Sequence, residues 1–129
     1  VFDKGMVDAA IRLNKKGVIP SPMHFNFVMG VNGGISGTPR DLMFLVNSIP
    51  SDSTYTVSGV GRVQLTMNVM SVLMGGHVRV GFEDNVYMSK GVPASSNGEF
   101  VERIVSIARL LGREIATPDE ARVILGLKK

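Results

Sequence analysis

The chain has 129 residues, of which 44% are hydrophobic and 19% are charged, so it predicts one folded globular unit rather than a disordered segment. It has no cysteine, which excludes disulfides and thiolate chemistry, and no apolar run near the roughly 20 residues that cross a bilayer, so we expect a cytoplasmic protein. The net charge of +3 comes from scattered Lys and Arg with few aromatics, which argues against nucleic acid and leaves anionic small molecules as candidate partners.

The first half of the chain predicts a helix, a strand and a second helix. Apolar residues within 6–13 share one helical face, and Gly17 ends this helix. Residues 24–29 follow as a strand. The glycine-rich loop 30–37 then leads into a helix that opens with Thr38 as its N-cap and a proline at its first position.

The second half repeats this pattern. Residues 54–58 predict a strand, and a helix with an apolar stripe over 63–74 follows it. A third strand over 77–83 precedes a helix over 99–111, which Gly112 ends. The residues of this helix predicted to face inward are Val101, Ile104, Val105, Ala108 and Leu111. The terminal segment 113–129 predicts a helical appendage, because it carries a second Thr-Pro capping signature.

Strands separated by helices predict an α/β fold with a parallel sheet and right-handed crossovers, which places the carboxyl ends of the strands along one edge. Three parallel strands leave two unpaired edges, so we interpret residues 1–129 as a single unit that forms the C-terminal part of a larger domain. The architecture that fits is a TIM (β/α)8 barrel, of which about three strand-helix units are present here. An open parallel α/β sheet is the alternative.

The third predicted strand carries charged residues where a buried strand normally has none. Arg79 and Glu83 share one face at the two-residue period of a strand, and Glu83 and Asp84 follow each other at the predicted carboxyl end. Because α/β folds place their chemistry at the carboxyl ends of strands, these three residues are candidate site residues. A structural ion pair between Arg79 and Glu83, or a solvated turn, is the competing interpretation.

Three segments resemble the β-keto acid cleavage enzymes, a family similar to 3-keto-5-aminohexanoate cleavage enzyme. They are Gly59-Val60-Gly61-Arg62, the run from Gly75-Gly76-His77 to Glu83-Asp84-Asn85, and the run from Gly112-Arg113 to Ala121-Arg122. The resemblance spans essentially the whole chain and less than half of a complete family member. It implies a zinc-dependent barrel enzyme that converts a β-keto acid and acetyl-CoA into acetoacetate and a new acyl-CoA.

The resemblance also implies roles for individual residues. Glu83 matches the carboxylate zinc ligand of the family, Asp84 matches its acid-base aspartate, and Arg79 matches the arginine beside that aspartate. The other zinc ligands belong to a His-x-His motif that this chain lacks, so we expect the chain by itself to hold zinc poorly and to be inactive. A homo-oligomer is expected from the family.

The loop 30–37 is a second candidate for binding. Its glycines let backbone N–H groups approach an anion, so Asn32, Gly33 and Gly34 are candidate contacts for a carboxylate or for the CoA group. An ordinary strand-to-helix turn explains these residues equally well. His24 and His77 each begin a strand, and we interpret both as structural.

Two other functions stay open at this point. One is a non-enzymatic half-barrel that assembles with another copy through its exposed strand edges. The other is a different metal-dependent barrel of the aldolase type that uses the same carboxylates.

Overall fold

The computed structural model of the chain describes residues 1–127, and these contain five α-helices and five β-strands. The helices are α1 (Lys4–Lys15), α2 (Pro39–Val46), α3 (Gln64–Leu73), α4 (Asn97–Leu110) and α5 (Pro118–Ile124). The strands are β1 (His24–Met29), β2 (Thr54–Gly59), β3 (His77–Arg79), β4 (Tyr87–Ser89) and β5 (Val92–Pro93). Residues 128 and 129 of the predicted terminal appendage lie outside the described residues. No helix within 1–127 is long and apolar enough to span a membrane.

The strands β1, β2 and β3 form one parallel sheet in that order. The register places His24 opposite Thr54, Thr56 opposite His77, and Ser58 opposite Arg79. Each connection between neighbouring strands contains a helix, as parallel pairing requires. The predicted α/β class with a parallel sheet is confirmed, whereas its interpretation as part of a barrel stays a prediction.

The two faces of this sheet differ in polarity, because side chains alternate between the faces along a strand. One face is apolar, and α1, α2 and α3 pack against it around a core of buried side chains: Phe25, Phe27, Met29, Tyr55 and Val57 from the strands, with Val7, Leu42, Leu45 and Met67 from the helices. The opposite face, which we term the polar face, carries His24, Asn26, Thr54, Thr56, Ser58, His77 and Arg79, together with the apolar Val28 opposite Ser58. Polar groups of three strands are therefore collected on one surface.

The helix ends follow the capping signals in the sequence. The Thr38 side chain accepts a hydrogen bond from the backbone of the first turn of α2, and Thr117 forms a complete capping box at the start of α5. Gly17 and Gly112 follow α1 and α4 with φ of +74° and +73°, which L-residues with a side chain rarely adopt. These predictions are confirmed.

The third strand is shorter than predicted. It ends at Arg79 instead of continuing to residue 83, because the N–H groups of Asp84 and Asn85 both donate to the carbonyl oxygen of Gly81 at 3.1 Å and close a turn. The antiparallel hairpin of β4 and β5 was not predicted, since its strands have only three and two residues and are too short to show an alternation of apolar and polar residues.

Helix α4 turns a different face inward from the one predicted. Phe100 is fully buried, together with Ile104 and Ala108, whereas Val101 and Leu111 are exposed. Residues spaced by four share a helix face, and a neighbour in sequence lies about 100° away around the axis. The prediction is therefore correct for Ile104 and Ala108 and wrong for Val101 and Leu111.

The terminal segment 113–127 runs back along the sheet and ends with α5. The Nη1 atom of Arg113 donates to the carbonyl oxygen of Val72, in the last turn of α3, at 2.8 Å. Side chains of α5 line a cavity of about 190 Å³ together with Thr56 and His77. This segment therefore lies against Thr56 and His77 on the polar face.

Gly59 ends β2 in close contact with the backbone of α3. A Cβ at this position would lie 2.6 Å from the Cα of Gln64, and a backbone atom cannot give way without moving the helix. We expect Gly59→Ala to lower the free energy of unfolding by about 2 kcal/mol, measured by urea denaturation.

Gly98→Ala in the first turn of α4 is the matched control. Its Cβ would meet only the Oγ of Ser96 at 3.4 Å, so stability should stay the same or rise slightly. Equal stability of both variants would contradict the close approach at Gly59.

Candidate active site

Arg79 and Asp84 meet at the carboxyl end of the sheet. Arg79 is the last residue of β3 and lies on the polar face, and the turn at 81–85 brings Asp84 back towards it. Nε of Arg79 donates to Oδ2 of Asp84 at 3.1 Å, and Nη2 donates to Oδ1 at 3.0 Å. This two-bond fork uses both oxygens of the carboxylate and fixes its orientation relative to the guanidinium.

Glu83 also contacts Arg79 but is bound more loosely. Nη2 of Arg79 donates to Oε2 of Glu83 at 2.6 Å, yet the Glu83 side chain is 84% exposed, whereas that of Asp84 is 5% exposed. An exposed ion pair contributes little to stability, because water competes for both charges. Asp84 is therefore the partner that anchors Arg79, and turning the Glu83 side chain towards a ligand requires little free energy.

The protonation of Asp84 is set by two opposing effects. Burial raises the pKa of Asp84 above its ordinary value, while the charge and hydrogen bonds of Arg79 lower it; Glu83 adds a small rise. The carboxylate is thus more basic than one in water, and its partner keeps it available in the ionised form. A group in this condition suits proton transfer to and from a bound molecule.

The turn that carries Asp84 is held by neighbours from distant parts of the chain. The N–H of Gly61, directly after β2, donates to the carbonyl oxygen of Asp84 at 2.7 Å. The side chain of Asn85 donates to Oε1 of Gln64 at 3.2 Å, and Gln64 is almost fully buried. Gln64 was not predicted, and no sequence signal marks it, since α3 also contains the polar residues Thr66, Asn68 and Ser71.

The loop 30–37 lies beside this site without bonding to it. The N–H of Gly34 donates to the carbonyl oxygen of Val31 at 3.0 Å, so this predicted anion contact is already used within the loop. Asn32 and Gly33 are exposed. No hydrogen bond among the described residues joins Asn32, Gly33 or Gly34 to Arg79 or Asp84, and their binding role stays a prediction.

The two histidines lie on the amino-terminal part of the polar face, with ring centroids 6.2 Å apart. Nδ1 of His24 is 2.8 Å from Oγ1 of Thr54, and its Nε2 is 3.0 Å from Oγ1 of Thr56, so both ring nitrogens have partners. Burial lowers the pKa of His24 and of His77, which favours neutral rings. This arrangement supports the structural role predicted for them.

Ser58 and Asn26 form a polar pair next to Arg79. The Oγ of Ser58, which is fully buried, donates to Oδ1 of Asn26 at 3.1 Å. Asn26 was not predicted as a site residue. The available signal was the alternation of Asn26 with the apolar Phe25 and Phe27, which marks a polar position on a half-buried strand.

The described residues do not form a zinc site by themselves. Within 1–127 there is no group of three or more His, Asp or Glu side chains placed to hold a metal ion. Glu83 is a single carboxylate, and zinc sites with an open position use three protein ligands. Both ring nitrogens of His24 already have partners, and His24 and His77 lie on the amino-terminal side of Arg79.

Comparison with known proteins identifies the family. The family described as beta-keto acid cleavage enzyme matches residues 1–127. The chain is 67% identical to the 3-keto-5-aminohexanoate cleavage enzyme of Acetoanaerobium sticklandii, over 100% of this chain and 47% of that protein. It is 64% identical to the enzyme of the same name in Fusobacterium nucleatum, with the same coverage.

A more distant relative has a different named activity. The chain is 37% identical to the 3-oxoadipate:acetyl-CoA acetyltransferase of Cupriavidus necator, over 98% of this chain and 45% of that protein. The chain thus spans about half the length of the relatives it matches. Because the family match covers all but two of its residues, the chain belongs to the β-keto acid cleavage enzyme family.

Proposed function

We propose that the protein carrying this chain reacts a β-keto acid with acetyl-CoA and releases acetoacetate and a new acyl-CoA. The observation that carries this proposal is the buried carboxylate of Asp84, held by the Arg79 fork at the carboxyl end of a parallel sheet. Membership of the family supports the reaction class, and the name of the Cupriavidus necator relative includes acetyl-CoA.

Asp84 is proposed as the acid-base group. Joining a keto acid to acetyl-CoA through carbon requires removal of a proton from a carbon next to a carbonyl group. Asp84 has the required properties, because its side chain is shielded from water and burial makes it more basic. The same carboxyl group can return the proton when the carbon–carbon bond breaks.

Arg79 is proposed to orient both Asp84 and the substrate. Its Nε and Nη2 atoms hold the two carboxylates, and Nη1 makes no hydrogen bond to a residue in the described part of the chain. That atom can donate to the carboxylate of a keto acid. The substrate would then lie on the polar face, within reach of Asp84.

Asn32, Gly33 and Gly34 are proposed to contact the CoA part of the co-substrate from the neighbouring loop. The exposed position of Asn32 and Gly33 leaves them accessible to a large ligand. We also propose that the chain alone is inactive, since residues 1–127 contain no group of three zinc ligands and Glu83 is their single candidate ligand.

A chimera provides the direct test. In it, this chain replaces the matching segment of the Acetoanaerobium sticklandii relative, to which it is 67% identical. The chimera is expected to form acetoacetate from acetyl-CoA and 3-keto-5-aminohexanoate or 3-oxoadipate, as followed by chromatography. A folded chimera that forms no acetoacetate from either acid, while the relative itself does, would contradict the proposed function.

Zinc content separates the proposed roles of the two neighbouring carboxylates. In the chimera, Glu83→Gln should lower the amount of zinc retained after dialysis, because a neutral carboxamide is a poorer zinc ligand than a carboxylate. Asp84→Asn should retain as much zinc as the parent chimera, measured by atomic emission. Equal zinc content in the Glu83→Gln variant and the parent would remove Glu83 from the proposed ligands.

A further inference from the structure

The polar face contains a hydrogen-bond donor that the proposed mechanism does not use. The Nδ2 atom of Asn26 makes no hydrogen bond to any residue among 1–127, whereas Oδ1 of the same amide accepts from Ser58 at 3.1 Å. Asn26 is only partly buried, so a ligand on the polar face can reach its side chain. An amide group whose oxygen is held and whose nitrogen is free can donate a hydrogen bond to an oxygen atom of a ligand.

Ser58 fixes which end of the amide is free. Its hydroxyl is fully buried and donates to Oδ1, so the oxygen of the amide faces β2 and the nitrogen faces away from this contact. An amide that could rotate would present its donor only part of the time. The contact thus orients the donor before any ligand arrives, which reduces the entropy that binding must overcome.

The position of Asn26 relates it to the proposed site. Asn26 lies on β1, Ser58 on β2 and Arg79 on β3, and Ser58 is directly opposite Arg79 in the register. Asn26 is opposite Thr56, two residues before Ser58. With about 4.8 Å between strands and about 3.3 Å per residue along them, the Asn26 and Arg79 backbones are separated by roughly 12 Å. A neutral donor and a cation therefore flank one stretch of the polar face, with the buried Ser58 hydroxyl between them.

We propose that Asn26 is a substrate-binding residue that donates from Nδ2 to an oxygen of the β-keto acid, and that Ser58 is a positioning residue that orients its amide. This inference rests on the proposed function, because it takes the keto acid as the ligand of the polar face. It deepens that function by assigning a second anchor for the acid, separate from Arg79.

The test measures keto-acid binding and turnover separately in the chimera. Calorimetry with 3-keto-5-aminohexanoate and with 3-oxoadipate gives Kd without acetyl-CoA, and steady-state assays give KM and kcat. Asn26→Asp keeps the shape of the side chain, replaces the donor by an acceptor and adds negative charge. It should raise Kd and KM for the acid by at least about tenfold, the size expected for a lost hydrogen bond to a charged group.

Ser58→Ala should raise KM by about threefold with kcat nearly unchanged, because the amide is still present but no longer oriented. Asn26→Ala serves as a second, uncharged variant in case the aspartate perturbs folding. Thr54→Val is the matched control, since Thr54 lies on the same face of β2 at its amino end and contacts His24. Its KM should equal that of the parent.

The outcomes distinguish this inference from the proposed function. If the parent turns over the acid but Asn26→Asp and Asn26→Ala leave Kd and KM unchanged, Asn26 does not bind substrate and the proposed function stands. If the parent binds the acid without turnover and both variants weaken binding, the inference holds and the proposed reaction fails. A parent that does not bind either acid overturns both.

Discussion

Asp84→Asn is expected to lower kcat of the chimera by about a thousandfold, within the range that a positioned general acid-base group contributes. The amide has nearly the same shape as the carboxylate and can still accept one bond from Arg79, so the loss would come from proton transfer rather than from folding. Burial raises the pKa of Asp84, and an amide has no comparable basicity. Steady-state kinetics on the parent and the variant measure the effect.

The control for this experiment is Asp119→Asn. Asp119 is an exposed carboxylate at the start of α5 whose partner is Arg122 at 3.0 Å. Its replacement should leave kcat within a factor of about two, because exposed pairs of this kind contribute little. If Asp84→Asn and Asp119→Asn reduced kcat equally, Asp84 would not be the acid-base group.

Arg79→Met is expected to have the second large effect, a fall in kcat of about a hundredfold together with a shift of the acid limb of the pH profile to higher pH. Arg79 lowers the pKa of Asp84, and without Arg79 nothing offsets the rise in that pKa caused by burial. The folded pKa therefore rises further, and a higher pH is needed to produce the ionised base. Measuring kcat/KM against pH detects this shift.

The same substitution should also reduce stability. It leaves a buried carboxylate without a partner, and the cost is about 2 kcal/mol, below the range for fully buried pairs because Arg79 is itself 37% exposed. Arg79→Lys retains the charge but not the fork, so its pH shift should be smaller. Arg122→Met, which removes an exposed pair, should change neither the pH profile nor the stability. An unchanged acid limb in Arg79→Met would contradict the coupling of Arg79 to Asp84.

The grouping of Arg79, Glu83 and Asp84 was predicted for a reason that is only partly correct. Strand periodicity predicts Arg79 and Glu83 on one face, but the strand ends at Arg79 and a turn brings the carboxylates back towards it. The turn depends on Gly61 and Gln64, which are some 20 residues away in sequence. A pattern of alternating residues carries no information about such contacts.

The polar pair of Asn26 and Ser58 shows the same limit more clearly. These residues are 32 positions apart and meet because the register places β1 beside β2. Each residue alone resembles an ordinary polar position in a strand. Their relation to each other, and to Arg79, exists only once three strands are paired.

The sequence by itself determined the order of the five helices and of the three strands of the parallel sheet, several helix caps and the family to which the chain belongs. These depend on local rules, since periodicity and capping involve residues within a few positions of one another, and the family match reads residues in order along the chain. Only the tertiary structure decided where β3 ends, which carboxylate holds Arg79 and which donors share the polar face. Those features depend on strand register and burial, which arise when segments distant in sequence pack together.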